Sequence, residues 1–157
     1  MPDYFTLKLL HILSATLLFG TGLGTAFFMW MAHRRGDAAA IAVTARHVVL
    51  ADWLFTTPAV LVQPLTGVLL LQRLGIDWQQ PWVRASLVLY LVAGLCWLPV
   101  VTIQLRVRRL AERAHADGTP LPGAYFRCMR WWFWLGWPAF ASVLAIFALM
   151  VLKPTFH

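Results

Sequence analysis

Few side chains in this chain combine a titratable or metal-ligating group with a place inside an apolar run, and His11 is the first of them. A neutral imidazole at that position has two uses: axial ligation of a haem iron through one ring nitrogen, or a hydrogen bond to a neighbouring helix. Both readings stand. No other histidine falls at a comparable depth, so a pair of imidazoles gripping one iron there finds no support. His33 and His47 flank the first polar break and, with Met29, form an alternative metal set suited to copper, although histidines at such positions are more often solvated. His115 and His157 lie outside the apolar runs. Asp52 offers a proton acceptor, a substrate contact or a structural partner for Arg108 or Arg130 in a buried polar network with Thr56 and Gln104. The paired reading is favoured, since an unpaired charge in that setting is penalised. Cys96 and Cys128 are far apart and make no CxxC, so both read as packing residues. A Gly-rich phosphate loop, GxSxG and HExxH are absent from the sequence.

The elements that must position these groups follow from composition. The 157 residues are 61% hydrophobic and 12% charged, with a mean hydropathy of +0.70, against about 25% charged in soluble domains. Such a chain belongs in membrane lipid. Spans of about 20 apolar residues place helices over about 4–32, 48–72, 82–107 and 126–152, which gives an all-α, integral membrane, antiparallel four-helix bundle as a single domain over residues 1–157. The first helix is too long for a signal-peptide core and is expected to stay in the mature protein. Pro58, Pro64, Pro99 and Pro138 fall inside the spans, where neighbouring helices can re-satisfy the freed carbonyls. The net charge of +7 records orientation, with no nucleic-acid partner implied. Arg34, Arg35, Arg46, Arg106, Arg108, Arg109, Arg113, Arg127 and Arg130 cluster at one end of the bundle, against Lys8, Arg73, Arg84 and Lys153 at the other. By the positive-inside rule both termini are then outside the cytoplasm, and Glu112 to Gly123 form a cytoplasmic turn.

Projection at 100° per residue gathers one mixed face on each helix. Helix 1 groups His11, Ser14, Ala15, Leu18, Gly22, Thr25, Met29 and His33; helix 2 groups Asp52, Thr56, Ala59, Gln63 and Thr66. Helix 3 groups Ser86, Tyr90, Ala93, Trp97, Gln104 and Arg108, and helix 4 groups Arg130, Trp134, Trp137, Ala141 and Ala148. Such faces suit a bundle that encloses a flat cofactor, and they equally suit close packing. By depth, His11, Gln63, Thr66, Ser86 and Tyr90 form an outer layer. Met29, His33, His47, Asp52, Thr56, Gln104, Arg108, Arg130 and Trp134 form an inner one. Gly20-xxx-Gly24 allows a close helix contact, within the bundle or across a homodimer.

The stretches Lys8-Leu-Leu-His11-Ile, Phe19-Gly-Thr-Gly-Leu-Gly-Thr-Ala-Phe-Phe28, Asp52-Trp-Leu-Phe-Thr-Thr-Pro-Ala59, Gln63-Pro-Leu-Thr-Gly67 and Gly136-Trp-Pro138 resemble an uncharacterised bacterial family of integral membrane proteins, over nearly the whole chain. That family is distantly similar to HemJ-type protoporphyrinogen oxidases and to the CopD copper-resistance membrane domain. The HemJ likeness rests on Leu-His-Ile around His11, Thr66-Gly67, Trp82 and Arg130-Trp-Trp, with Lys153-Pro154 at the end. In HemJ-type proteins a first-helix histidine and a helix 3 lysine serve haem b binding and activity. The histidine carries over to His11, whereas Ser86 stands in the approximate place of the lysine.

The resemblance implies a haem b protein of the bacterial inner membrane, with periplasmic termini and His11 on the iron. Gln63, Ser86 and Tyr90 line the distal side, and Gly22 gives room for the macrocycle. Electron transfer, or oxidation of a quinol or porphyrinogen as an oxidoreductase, is the implied activity. The alternatives are a CopD-type copper or small-solute protein using Met29, His33 and His47, and a cofactor-free membrane scaffold or assembly factor.

Overall fold

The computed structural model describes residues 3–154, so His157 lies outside the described residues. The chain folds into four helices: α1 (Tyr4–Arg35), α2 (Ala38–Leu74), α3 (Pro81–Ala116) and α4 (Gly123–Leu152). No strand occurs among the described residues. Each helix is long and apolar enough to cross a membrane; at 1.5 Å per residue, 30 residues reach about 45 Å, beyond a hydrocarbon layer of about 30 Å. The fold is an all-α antiparallel membrane bundle.

Helix ends are set by local chemistry. Asp3 caps α1 by accepting from the Thr6 N–H at 2.7 Å, and its hydrogen bonds with Thr6 hold the Asp3 carboxyl below its ordinary range. At the other end Gly36 adopts the left-handed conformation at φ 74°, and its N–H returns to the Ala32 and His33 carbonyls. Asp37 immediately caps the next helix through the Ala39 and Ala40 N–H groups. The turn is therefore only Gly36 and Asp37, and α2 starts at Ala38, well before the expected Val48. Arg46 and His47 sit on this helix and not in a loop. Likewise α3 continues past Val107 to Ala116, helped by an Arg108–Glu112 ion pair of 3.0 Å at i,i+4 spacing. The polar turn shrinks to 117–122, and α4 starts at Gly123.

Close packing concentrates at the basic end of the bundle. Ile41, Ala42, Ala45 and Val48 of α2 meet Val100, Val107 and Ala111 of α3, with Met29, Ala32, Tyr125, Met129 and Trp132 completing the core. Alanines matter here because lipid tails are as apolar as leucine, so helices associate by close van der Waals approach and not by escape from water. Toward the terminal end the second half of α2 lies along α1, while α3 and α4 remain paired. Phe19 bridges the two pairs by stacking on Phe140 at 5.1 Å and leaning on Phe147 at 5.5 Å.

Two prolines shape α2. Before Pro58, residues Asp52–Thr56 widen into a π turn in which the Thr57 N–H reaches the Asp52 carbonyl. Pro64 has no N–H, so the Val60 carbonyl four residues earlier loses its helical donor. Tyr90 of α3 replaces it, donating its hydroxyl to Val60 O at 2.5 Å. Tyr90→Phe should therefore destabilise the protein by about 1–3 kcal/mol, the cost of an orphaned carbonyl. In a Pro64→Ala background, which restores a backbone donor, the same substitution should cost much less; unfolding in detergent micelles of the four members of this cycle is the measurement.

Candidate functional site

A polar seam joins α1 to the second half of α2, with His11 at its centre. Its proton positions follow from counting donors. The Thr66 hydroxyl donates to its own helix, to Val62 O at 2.8 Å with Gln63 O at 3.1 Å, so Oγ1 is left to accept. His11 Nδ1–H donates to it at 2.9 Å. A neutral imidazole carries one N–H, which makes Nε2 the lone-pair nitrogen; it accepts from the Gln63 amide at 3.2 Å. The other end of that amide, Gln63 Oε1, accepts from the Ser14 hydroxyl, whose oxygen also lies 3.0 Å from His11 O. The ring presents its Nδ1–Cε1–Nε2 edge to α2, and residue 67 is glycine where that edge comes closest: a Cβ there would stand 3.3 Å from His11 Cε1.

The remaining residues of the expected outer site are not gathered on this ring. Tyr90 is engaged with Val60, and the buried Ser86 hydroxyl donates to Trp82 O of its own helix at 2.8 Å. Gly22 is exposed, and a Cβ added to it would meet no atom within 4 Å, so it makes no close approach. Gly20 and Gly24 are equally free of neighbours, so the expected helix contact is not made within the bundle.

Near the middle of α2 lies a second polar centre. Asp52 is 5% exposed and Thr56 is buried with it; the Thr56 hydroxyl donates to Asp52 Oδ1 at 2.9 Å, and the Thr57 hydroxyl donates to Asp52 O at 2.9 Å. Gln104 of α3 lies beside the carboxyl. The expected arginine partners are elsewhere: Arg108 pairs with Glu112, as does Arg46 at 3.4 Å, and Arg130 is exposed. The physical reason is reach along α3, because one helical turn puts Glu112 within a direct hydrogen bond of Arg108. Glu112 was not among the expected site residues, although its i,i+4 spacing from Arg108 signals the pair.

The alternative copper set does not assemble. Met29 is buried in the core, His47 is exposed, and His33 Nδ1 shares a 2.9 Å hydrogen bond with the Tyr125 hydroxyl of α4. No group of three His, Cys, Asp or Glu able to hold a metal occurs among the described residues. Tyr125, fully buried, was missed by the projection of helix 4, whose inward face is Tyr125, Met129, Trp132 and Ser142. Trp134 and Trp137 point outward instead, 66% and 59% exposed, as do Arg130, Ala141 and Ala148. Met29, Gln104, Met129 and Trp132 surround a packing gap at the basic end that is too narrow to admit a water-sized molecule.

With four membrane-crossing helices and this interior in view, comparison with known proteins becomes decisive for the family. Residues 5–154 match the model of the family described as "Predicted integral membrane protein (DUF2269)". The chain belongs to that family. No curated protein and no solved structure gives a significant match. The protein is thus a multi-pass integral membrane protein whose interior polar groups have to speak for its chemistry. The Gly67–His11 contact provides a direct test of the seam. Gly67→Val should push the imidazole off Thr66 and Gln63 and destabilise the protein by about 2 kcal/mol through overpacking, measured as a lowered unfolding midpoint in micelles, whereas Gly22→Val should be nearly silent.

Proposed function

We propose that the protein is a haem b protein of the bacterial inner membrane, with His11 Nε2 as an iron ligand, that transfers electrons with, or oxidises, a small lipophilic substrate such as a quinol or porphyrinogen. The observation that carries the reading is the 2.9 Å contact between His11 Nδ1 and the Thr66 hydroxyl, which itself lies 2.8 Å from Val62 O; counting donors then assigns the proton to Nδ1 and the lone pair to Nε2. Iron-binding histidines are oriented in the same way, by a hydrogen bond from the second ring nitrogen. The donor chemistry of His11 would therefore suit an iron ligand. Gln63 is the group that meets Nε2 now, and its flexible side chain would have to turn aside for iron, while Gly67 leaves room for the Cε1 edge of the ring. A bound haem b supplies one-electron chemistry. The chain's own residues have the tasks of holding the imidazole, excluding water and presenting an amide donor from Gln63 close to the ligand. The gathering of nine arginines at the end with the 36–37 and 117–122 turns supports periplasmic termini.

A second reading, a cofactor-free membrane scaffold, is favoured by one observation: both ring nitrogens of His11 already have partners within the α1–α2 seam. Optical spectra separate the two. Purified after expression with added haem precursor, the wild type should show reduced-minus-oxidised Soret and α bands that are lost in His11→Ala. Thr66→Val, which removes the orienting acceptor, should keep the bands but bind haem about 10–100-fold more weakly. A folded wild type with no haem bands supports the scaffold.

A further inference from the structure

The Asp52 centre is untouched by the haem reading and asks for a ligand of its own. Asp52 is 5% exposed and Gln104 is 7% exposed. Asp52 Oδ2 and Gln104 Oε1 are buried oxygens with no hydrogen-bond partner, although the two side chains adjoin. Counted from Ala38, Asp52 lies about 20 Å along α2, well inside the apolar span. Buried acceptors left bare on an acidic side chain are costly, and more so away from water.

The charges of the surrounding helices do not reach Asp52; Arg130 on α4 and His47 on α2 are exposed. On α3, Arg108 is bound by Glu112; on α2 itself, Arg46 is bound by the same carboxylate. On α1, His33 is bonded to Tyr125, the titratable group that α4 buries at this end. No arginine, lysine or histidine forms an ion pair with Asp52 among the described residues. We propose that Asp52, with Gln104, forms an intramembrane binding site for one monovalent cation, a hydron or a sodium ion.

The chemistry selects this class. The free donors are hard oxygens, one carboxylate and one amide carbonyl, with the Thr56 hydroxyl already turned to the same carboxylate. One positive charge neutralises one carboxylate. A divalent ion would leave a net positive charge in the span, which is costly there. The π turn at Asp52–Thr56 contributes by stepping the backbone bonding to i+5, and Thr57 secures the displaced Asp52 carbonyl from both its N–H and its hydroxyl.

The test is labelling of the full-length protein in detergent by dicyclohexylcarbodiimide, an apolar reagent that adds to a protonated carboxyl, with Asp52 modification read by peptide mass spectrometry. In sodium-free choline buffer Asp52 should be labelled, with labelling lost as the pH is raised. Protection by sodium chloride and not by choline chloride at fixed pH identifies sodium as the cation; labelling indifferent to both salts identifies the hydron. Infrared difference spectra of wild type minus Asp52→Asn do not depend on reagent access. They should contain the carbonyl band of a carboxylic acid in sodium-free buffer at neutral pH. A carboxylate band in that buffer, together with an unlabelled Asp52 at every pH, overturns the proposal.

Discussion

Hydrocarbon offers a buried N–H, C=O or carboxyl no water to bond, so each polar group inside the bundle must be satisfied by the chain or by something the chain binds. Much of the interior follows from this constraint. Pro64 strips a donor from Val60, and a tyrosine on another helix supplies it. Thr66 spends its proton on its own helix and thereby becomes the acceptor that fixes the tautomer of His11. Thr57 closes the opened register of the π turn. Each is a local debt settled by a hydroxyl, and each settlement ties a polar side chain to one orientation.

The same constraint divides the molecule into two regions with different jobs. At the basic end, small residues bring α2 and α3 close, and two methionines with a tryptophan fill the remaining volume. Affinity between helices there comes from dispersion over short distances. Toward the terminal end, the α1–α2 pair is held by a chain of hydrogen bonds from Ser14 through Gln63 and His11 to Thr66. A seam of that kind is specific in register, with the Gln63 amide on one imidazole nitrogen and Thr66 on the other. Asp52 Oδ2, Gln104 Oε1 and the Trp97 indole N–H are buried polar groups left without a partner among the described residues.

Membership of the integral membrane family agrees with the composition and with the four spans, and leaves the chemistry to these interior groups. Much of the polar interior was legible in advance. The stripe Asp52, Thr56, Ala59, Gln63 and Thr66 lies inward as expected, because placing an aspartate or glutamine against lipid is costly. Helix 4 was misread because its expected stripe contains no such residue in the span: tryptophans are comfortable on either side, so polarity could not choose between Trp134 outside and Trp132 inside. The early start of α2 was hidden by polar residues near Asp37, though Gly followed by Asp is the signature of one helix closing as the next is capped.

By itself the sequence determined the class, the number of crossings, the basic end and the inward faces of α2 and α3, since hydropathy and charge act on each residue separately. Tertiary structure alone decided which nitrogen of His11 keeps its lone pair, that Tyr90 serves Val60, that His33 meets Tyr125 and that Asp52 has no arginine. Those outcomes depend on how helices rotate about their axes against one another. In a chain whose inner and outer faces are both apolar, that rotation is chosen by packing and by hydrogen bonds between residues far apart in sequence.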